Sequence, residues 1–215
     1  MKMLLGIWER YKFDDKVLIM KKLVFGIGGY IGSGKSTAGS IFEKLGACFI
    51  DADEVVDDLY QKGQDGYRKV ISFFGDKYLT SSGELNRKKF AKVVFGDPKK
   101  LRILHDLIHP LVTNQIRKMV DQGSGSVTVI EATYFDKKYL QSLVDVLIWI
   151  ECPKDVLFER ISKSRGVDRP LFERILRIQF KPEHVDFVVK NNGSKKELEM
   201  ALEKIWQQLV EEFEF

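Results

Sequence analysis

Cysteine is nearly absent from the 215-residue chain, which has only Cys48 and Cys152. Two thiols make neither a disulfide framework nor a metal-ligand spacing. Each lies beside an apolar, strand-like run, so both are expected to be buried thiols in a reducing compartment. No apolar run approaches the ~20 residues that a bilayer-crossing helix needs. The opening MKMLLGIWERYKFDDKVLIM holds an apolar stretch too short and too interrupted for a signal peptide. The cytoplasm is therefore the expected location. There are no internal repeats, no low-complexity tracts, and no N-K-x-D signature of the kind that selects guanine. Residues 1–19 precede Met20-Lys21-Lys22, which reads like a natural start, and are taken as an N-terminal extension without legible chemistry.

What is present is ordinary in bulk. Hydrophobic residues at 44% and charged residues at 31% place the chain among soluble globular proteins. The length suits one domain, or one domain with an inserted subdomain. A net charge of +4 is too small to argue for nucleic acid, but its distribution is uneven. Glu84 to Lys118 carries nine Lys or Arg against three Asp or Glu, and Phe158 to Lys181 seven against three. Two such segments suit a small polyanionic ligand, although a solvated helix face gives the same pattern. The first segment lacks aromatics interleaved for base stacking, which argues against a nucleic-acid partner. Neither a membrane nor an obligate protein partner is implied.

Short apolar runs at Leu23–Ile27, Ala47–Ile50, Val127–Ile130, Val146–Ile150 and Phe187–Val189 predict strands buried on both faces of a parallel sheet. Helical patterns between them make the expected class α/β with right-handed crossovers. About seventy residues between the second and third runs hold helix signals and no strand, which predicts a helical insertion. Within it, Asp97 and Pro98 mark a helix start, and Pro110 is expected to kink or end that helix. Ser194 and Glu197 form a capping box before a closing amphipathic helix.

Chemistry enters with GIGGYIGSGKST, Gly26 to Thr37. Gly29, Gly34, Lys35 and Ser36 satisfy G-x-x-x-x-G-K-S between a predicted strand and a predicted helix, the context this phosphate loop requires. Its glycines bring backbone N–H groups to the phosphates, Lys35 can reach the β- and γ-phosphates, and the Ser36 hydroxyl can hold Mg²⁺. Asp51 and Asp53 follow the second run. Standing together at a strand end, their carboxylates could divide the orienting of an acceptor and the holding of metal waters. An Asp at such a junction can also be a simple helix cap.

The loop, IDAD at Ile50–Asp53, GELNRKKF at Gly83–Phe90, Val94-Phe95, His109-Pro110 and KNNG at Lys190–Gly193 occur in one order. Together they resemble the dephospho-CoA kinase family, from Leu23 to the C-terminus. The resemblance implies a three-layer P-loop kinase fold with a five-stranded parallel sheet. It places a nucleotide-binding core in 20–66 and 122–215, a lid at about 160–180, and a helical CoA-binding subdomain at 67–121. It implies transfer of the ATP γ-phosphate to the ribose 3′-hydroxyl of dephospho-CoA, with Mg²⁺. Gly29, Tyr30, Ile31, Gly32, Ser33, Gly34, Lys35, Ser36 and Thr37 would hold the phosphates, and Asn191 and Asn192 would lie near the adenine. Asp53 matches the base, and Asp51 with Ser36 the metal side. Arg87, His109 and Glu131 match the acceptor side, although Asn86 stands where the family usually has Asp, and IEATYF replaces its usual P-L-L-x-E. Arg165, then Arg169, match a lid arginine that closes on the γ-phosphate. The alternatives are another nucleoside or nucleotide kinase of this fold and a non-catalytic nucleotide-binding regulator.

Overall fold

In a computed structural model, residues 22–212 are described; the suggested extension lies outside them. Five strands form one sheet in the order β2-β3-β1-β4-β5: β1 (Leu23–Gly29), β2 (Cys48–Asp51), β3 (Val127–Glu131), β4 (Val146–Glu151) and β5 (Phe187–Lys190). β1 runs parallel to β3, with Gly26 opposite Ile130, and to β4, with Gly26 opposite Leu147; β4 runs parallel to β5. All seven residues of β1 are buried, as a central strand covered on both faces requires. Each predicted strand is present, extended by one or two polar or glycine residues at its carboxyl end.

The chain divides into two compact units, one running from Asp51 to Gln122 and the other made of the rest. In the sheet-bearing unit, α1 (Lys35–Lys44) and α8 (Lys195–Glu212) pack on each other. Ile41, Phe42, Leu198, Leu202 and Leu209 join Phe25, Ile27 and Ile148 in the main core. Phe25 meets the rings of Phe42 and Trp206 edge-on, at centroid distances of 5.9 and 6.2 Å. The predicted capping box starts α8: the Ser194 N–H donates to Glu197 Oε2 at 2.6 Å and the Glu197 N–H to Ser194 Oγ at 3.3 Å. α6 (Lys154–Arg165) and α7 (Arg169–Ile178) share a smaller apolar cluster of Cys152, Leu157 and Phe172, against which Tyr30 and Ile31 pack. Cys152 is buried as expected, but Cys48 is only partly covered, because the short β2 is less enclosed than the inner strands.

The second unit contains α2 (Ala52–Leu59), α3 (Asp65–Phe74), α4 (Arg87–Val94) and α5 (Pro98–Gln122), with no strand among its residues beyond one Leu79–Leu85 bridge. It begins earlier than residue 67 because α2 packs along α5. Asp97 caps α5, accepting from the N–H groups of Lys99 and Lys100 at 3.0 and 3.3 Å. Pro110 does not end this helix. It removes one backbone donor, yet Ile108, Val112 and Ile116 stay buried on the face that meets the other helices, and that burial carries the helix through. Phe74, Phe90 and Tyr78 stack edge-on at centroid distances of 5.1 and 5.3 Å to complete a small aromatic core. Among the described residues no helix is long and apolar enough to cross a membrane.

Candidate active site

β1 runs into the glycine loop and α1 leaves it, so the first N–H groups of α1 point out of the helix end without intrahelical acceptors. Gly34, the cap residue, has φ +97°, a left-handed conformation that a residue with a Cβ resists. Lys35 is buried at the first helical position, with Nζ 3.4 Å from the Tyr30 carbonyl oxygen. Thr37 is the third residue of α1. Ser36 Oγ donates to Glu131 Oε1 at 3.0 Å. Glu131 is the last residue of β3 and is buried, so hydroxyl and carboxylate meet at the carboxyl end of the sheet.

Three side chains hold the loop from outside. Gln179, just past α7, accepts the Ile31 N–H on Oε1 at 3.0 Å. Arg160 of α6 brings a guanidinium nitrogen to 3.5 Å from the Gly32 carbonyl. Asn191 donates from Nδ2 to the Ser33 carbonyl at 2.7 Å, and this contact is buried. The loop also closes on itself, through the Ser33 N–H and the Tyr30 carbonyl at 3.0 Å. Peptide orientation in this loop is therefore set by partners on α6, after α7 and after β5.

Asn192 lines an open pocket of about 330 Å³ with Glu151, Cys152, Pro153 and Lys190, a volume near the lower end for small-molecule sites. Burial pushes the Cys152 thiol up, with Arg160 pulling the other way. Of the two arginines expected in a lid, Arg165 is exposed at the last position of α6, ahead of Gly166. Arg169 pairs with Asp155 at 3.0 Å and lies over the Phe158 ring at 4.4 Å.

The remaining residues named from sequence lie in the helical unit. Asp51 caps α2, accepting the Asp53 N–H on its side chain at 2.8 Å, and Asp53 sits exposed in the first turn of that helix. The expectation of both carboxylates on a strand end is thus corrected. The strand stops at Asp51, and Asp53 is directed by helical rather than extended backbone. Arg87 begins α4, hydrogen-bonds Asp57 and lies over the Tyr60 ring at 5.6 Å. The Asp57 hydrogen bond is the main cause holding the Arg87 proton more tightly, and the Asp53 charge adds to it. Burial pushes the Tyr60 phenol up to about 12, against the pull of Arg87. Asn86 caps α4 by accepting the Lys89 N–H at 3.0 Å, a task Asn and Asp perform equally well. His109 stacks on His105 within α5 at 4.6 Å, while its carbonyl accepts the Thr113 hydroxyl. Sequence reasoning missed Asp57 and Tyr60 beside Arg87, and Gln179 and Arg160 beside the loop. Arg160 and Gln179 stood only as part of a basic run, with no local pattern to single them out.

A strand–loop–helix with an engaged Ser36–Glu131 pair marks a P-loop kinase core, and the comparison with known proteins makes it specific. The family model for dephospho-CoA kinase matches residues 23–197. The chain belongs to the dephospho-CoA kinase family. The dephospho-CoA kinase of Aquifex aeolicus is 34% identical over 196 residues, spanning 89% of this chain and 98% of that protein. Among solved structures, a protein of Thermus thermophilus superposes with a TM-score of 0.75 at 23% identity, covering 88% of this chain and 98% of its own. A dephospho-CoA kinase from Campylobacter jejuni does so with a TM-score of 0.62 at 23% identity, covering 87% and 97%. The structural likenesses carry the fold; the sequence matches carry the family, one of ATP-dependent kinases.

Proposed function

We propose that the chain transfers the γ-phosphate of ATP to the ribose 3′-hydroxyl of dephospho-CoA, giving CoA and ADP. The observation that carries this reading is the family match over residues 23–197, which includes both the intact phosphate loop and the helical unit with Asp53 and Arg87. In this reading the loop amides of residues 29–37 and Lys35 bind the phosphates, and Lys35 moves from the Tyr30 carbonyl onto the β- and γ-oxygens. Asp53 takes the proton from the acceptor hydroxyl as the new O–P bond forms and the bond to ADP breaks. Arg87 leaves or shares Asp57 to bind an acceptor phosphate, since a guanidinium accommodates phosphate as readily as carboxylate. An arginine of the α6–α7 segment, Arg165 or Arg169, screens the transferring group. Asn192 borders the pocket that receives the adenine.

Magnesium fits the residues present. Ser36 and Glu131 supply hard oxygen atoms within hydrogen-bond distance of each other, and Asp51 ends the strand at the edge of the sheet. Among the described residues no three His, Cys, Asp or Glu cluster as a self-sufficient metal site. That suits Mg²⁺, which typically takes one or two protein oxygens and keeps its waters and substrate phosphates. Ser36 would bind it directly, with Glu131 and Asp51 on its waters. When bound it neutralises charge on the phosphate oxygens.

The test is ADP release with MgATP and, in turn, dephospho-CoA, AMP, CMP, uridine and adenosine. Turnover with dephospho-CoA alone is expected. Turnover with a nucleotide or nucleoside instead would reject the acceptor, and silence with all five would favour the regulator.

A further inference from the structure

Asn191 follows the last strand, where its own N–H continues the ladder by donating to the Glu151 carbonyl at 2.8 Å. The sheet thus fixes where this side chain stands. Its amide is buried and donates to the main-chain oxygen of Ser33, 158 residues earlier in the chain. The Ser33 hydroxyl is also buried, and among the described residues it has no partner. Asn191 therefore selects the peptide rather than the side chain. A Cβ on Gly34 would lie 2.3 Å from Asn191 Nδ2, so the glycine permits this approach as well as the φ of +97°.

The Ser33–Gly34 peptide is trans, so its carbonyl and N–H point in opposite directions. Tying the carbonyl to Asn191 turns the Gly34 N–H to the other side. We propose that Asn191 is a positioning residue of the phosphate loop. It locks the Ser33–Gly34 peptide so that an N–H, and not a carbonyl oxygen, faces the phosphates of the nucleotide. A carbonyl there would set a partial negative charge against a polyanion. This goes beyond a contact to the adenine, and it rests on the reading that the loop holds nucleotide phosphates.

The experiment is calorimetric titration of the full chain and its Asn191→Asp and Asn191→Ala variants with pyrophosphate, ATP and adenosine, in excess Mg²⁺. Asp keeps the shape but offers only acceptors to the Ser33 carbonyl, so the peptide is expected to turn. Pyrophosphate and ATP should both weaken by about 10- to 100-fold in Asn191→Asp, and less in Asn191→Ala, where water can replace the lost donor. Adenosine affinity should be unchanged, and in turnover the KM for ATP should rise while that for the acceptor holds. Unchanged pyrophosphate affinity in both variants, with weaker adenosine binding, would overturn the proposal and leave Asn191 as a base contact. Equal weakening of all three ligands with a matching fall in melting temperature would also overturn it, as a purely structural role. If the unaltered chain bound ATP or pyrophosphate no better than adenosine, the phosphate-loop reading would fall with it.

Discussion

The two compact units hold their functional groups by different means. Around the glycine loop, Lys35, Ser33, Glu131 and Asn191 are all buried, and the main chain between Tyr30 and Gly34 meets Gln179, Arg160 and Asn191. In the helical unit, Asp53 is exposed, and Arg87 and Asp57 keep 50% and 56% of their side chains exposed while paired. Leaving a buried polar group unpaired costs about 1–3 kcal/mol, whereas an exposed ion pair contributes roughly 0–1 kcal/mol. The polar groups around the glycine loop are thus held by buried partners, whereas the Arg87–Asp57 pair can exchange for another partner at little cost. The phosphates proposed for the loop offer the same oxygens in every nucleotide and suit a rigid cradle. The proposed acceptor, with one diphosphate and a long arm, suits side chains that can re-pair.

The sharpest separation comes from Asp53→Asn. An exposed residue in a helix first turn adds only a few tenths of a kcal/mol through the helix dipole, so the melting temperature should barely move. Loss of a general base should lower kcat by about 10²–10⁴-fold while the KM for ATP stays put. A large fall in melting temperature, or a raised KM for ATP at normal kcat, would break the assignment. Lys35→Met tests the rigid end. It keeps the buried stem and removes the charge, so kcat/KM should fall about 10²–10³-fold, with nucleotide affinity falling too if Lys35 binds the phosphates as proposed.

Arg87→Ala should act on the acceptor alone. Its KM should rise roughly 10- to 100-fold, the range of a lost charge-assisted hydrogen bond, with ATP untouched. Asp57→Asn is the control, because it removes the partner and keeps the guanidinium. If both variants lowered the melting temperature strongly, the pair would be structural and the contrast between the units would be lost.

The sheet was legible because inner strands of a parallel sheet are unbroken apolar runs, as in VLIWI at Val146–Ile150, and because the glycine loop names its own context. The cap at Ser194 and the start at Asp97 were legible for the same local reason. Of the two outcomes expected at Pro110, a kink or an end, the helix does not end there, because one lost backbone bond weighs less than three buried aliphatics whose partners are distant in sequence. The helix start in IDAD was legible only as the alternative that an Asp at such a junction caps a helix, a task that falls to Asp51. Gln179 and Arg160 could not be found, since their partners are main-chain atoms well over a hundred residues away.

A last measurement tests the electrostatics of the helical unit directly. Burial disfavours the Tyr60 anion and pushes its phenol up to about 12, from the usual 10.0. The neutral form is therefore the one the fold prefers. Its contribution is complete below pH ~10 and is lost as pH rises through about 12, and it amounts to at most roughly 2–3 kcal/mol at ~1.4 kcal/mol per unit. Denaturation of the native chain and of Tyr60→Phe, followed from pH 9 to about 12, should diverge only in the upper part of that range, with the native chain falling faster. Difference absorbance should assign the missing late phenolate to Tyr60. A Tyr60 that ionised near 10 would mean that water reaches its hydroxyl. The Arg87 guanidinium would then lie over an exposed ring, and the helical unit would be looser still than its half-exposed ion pair implies.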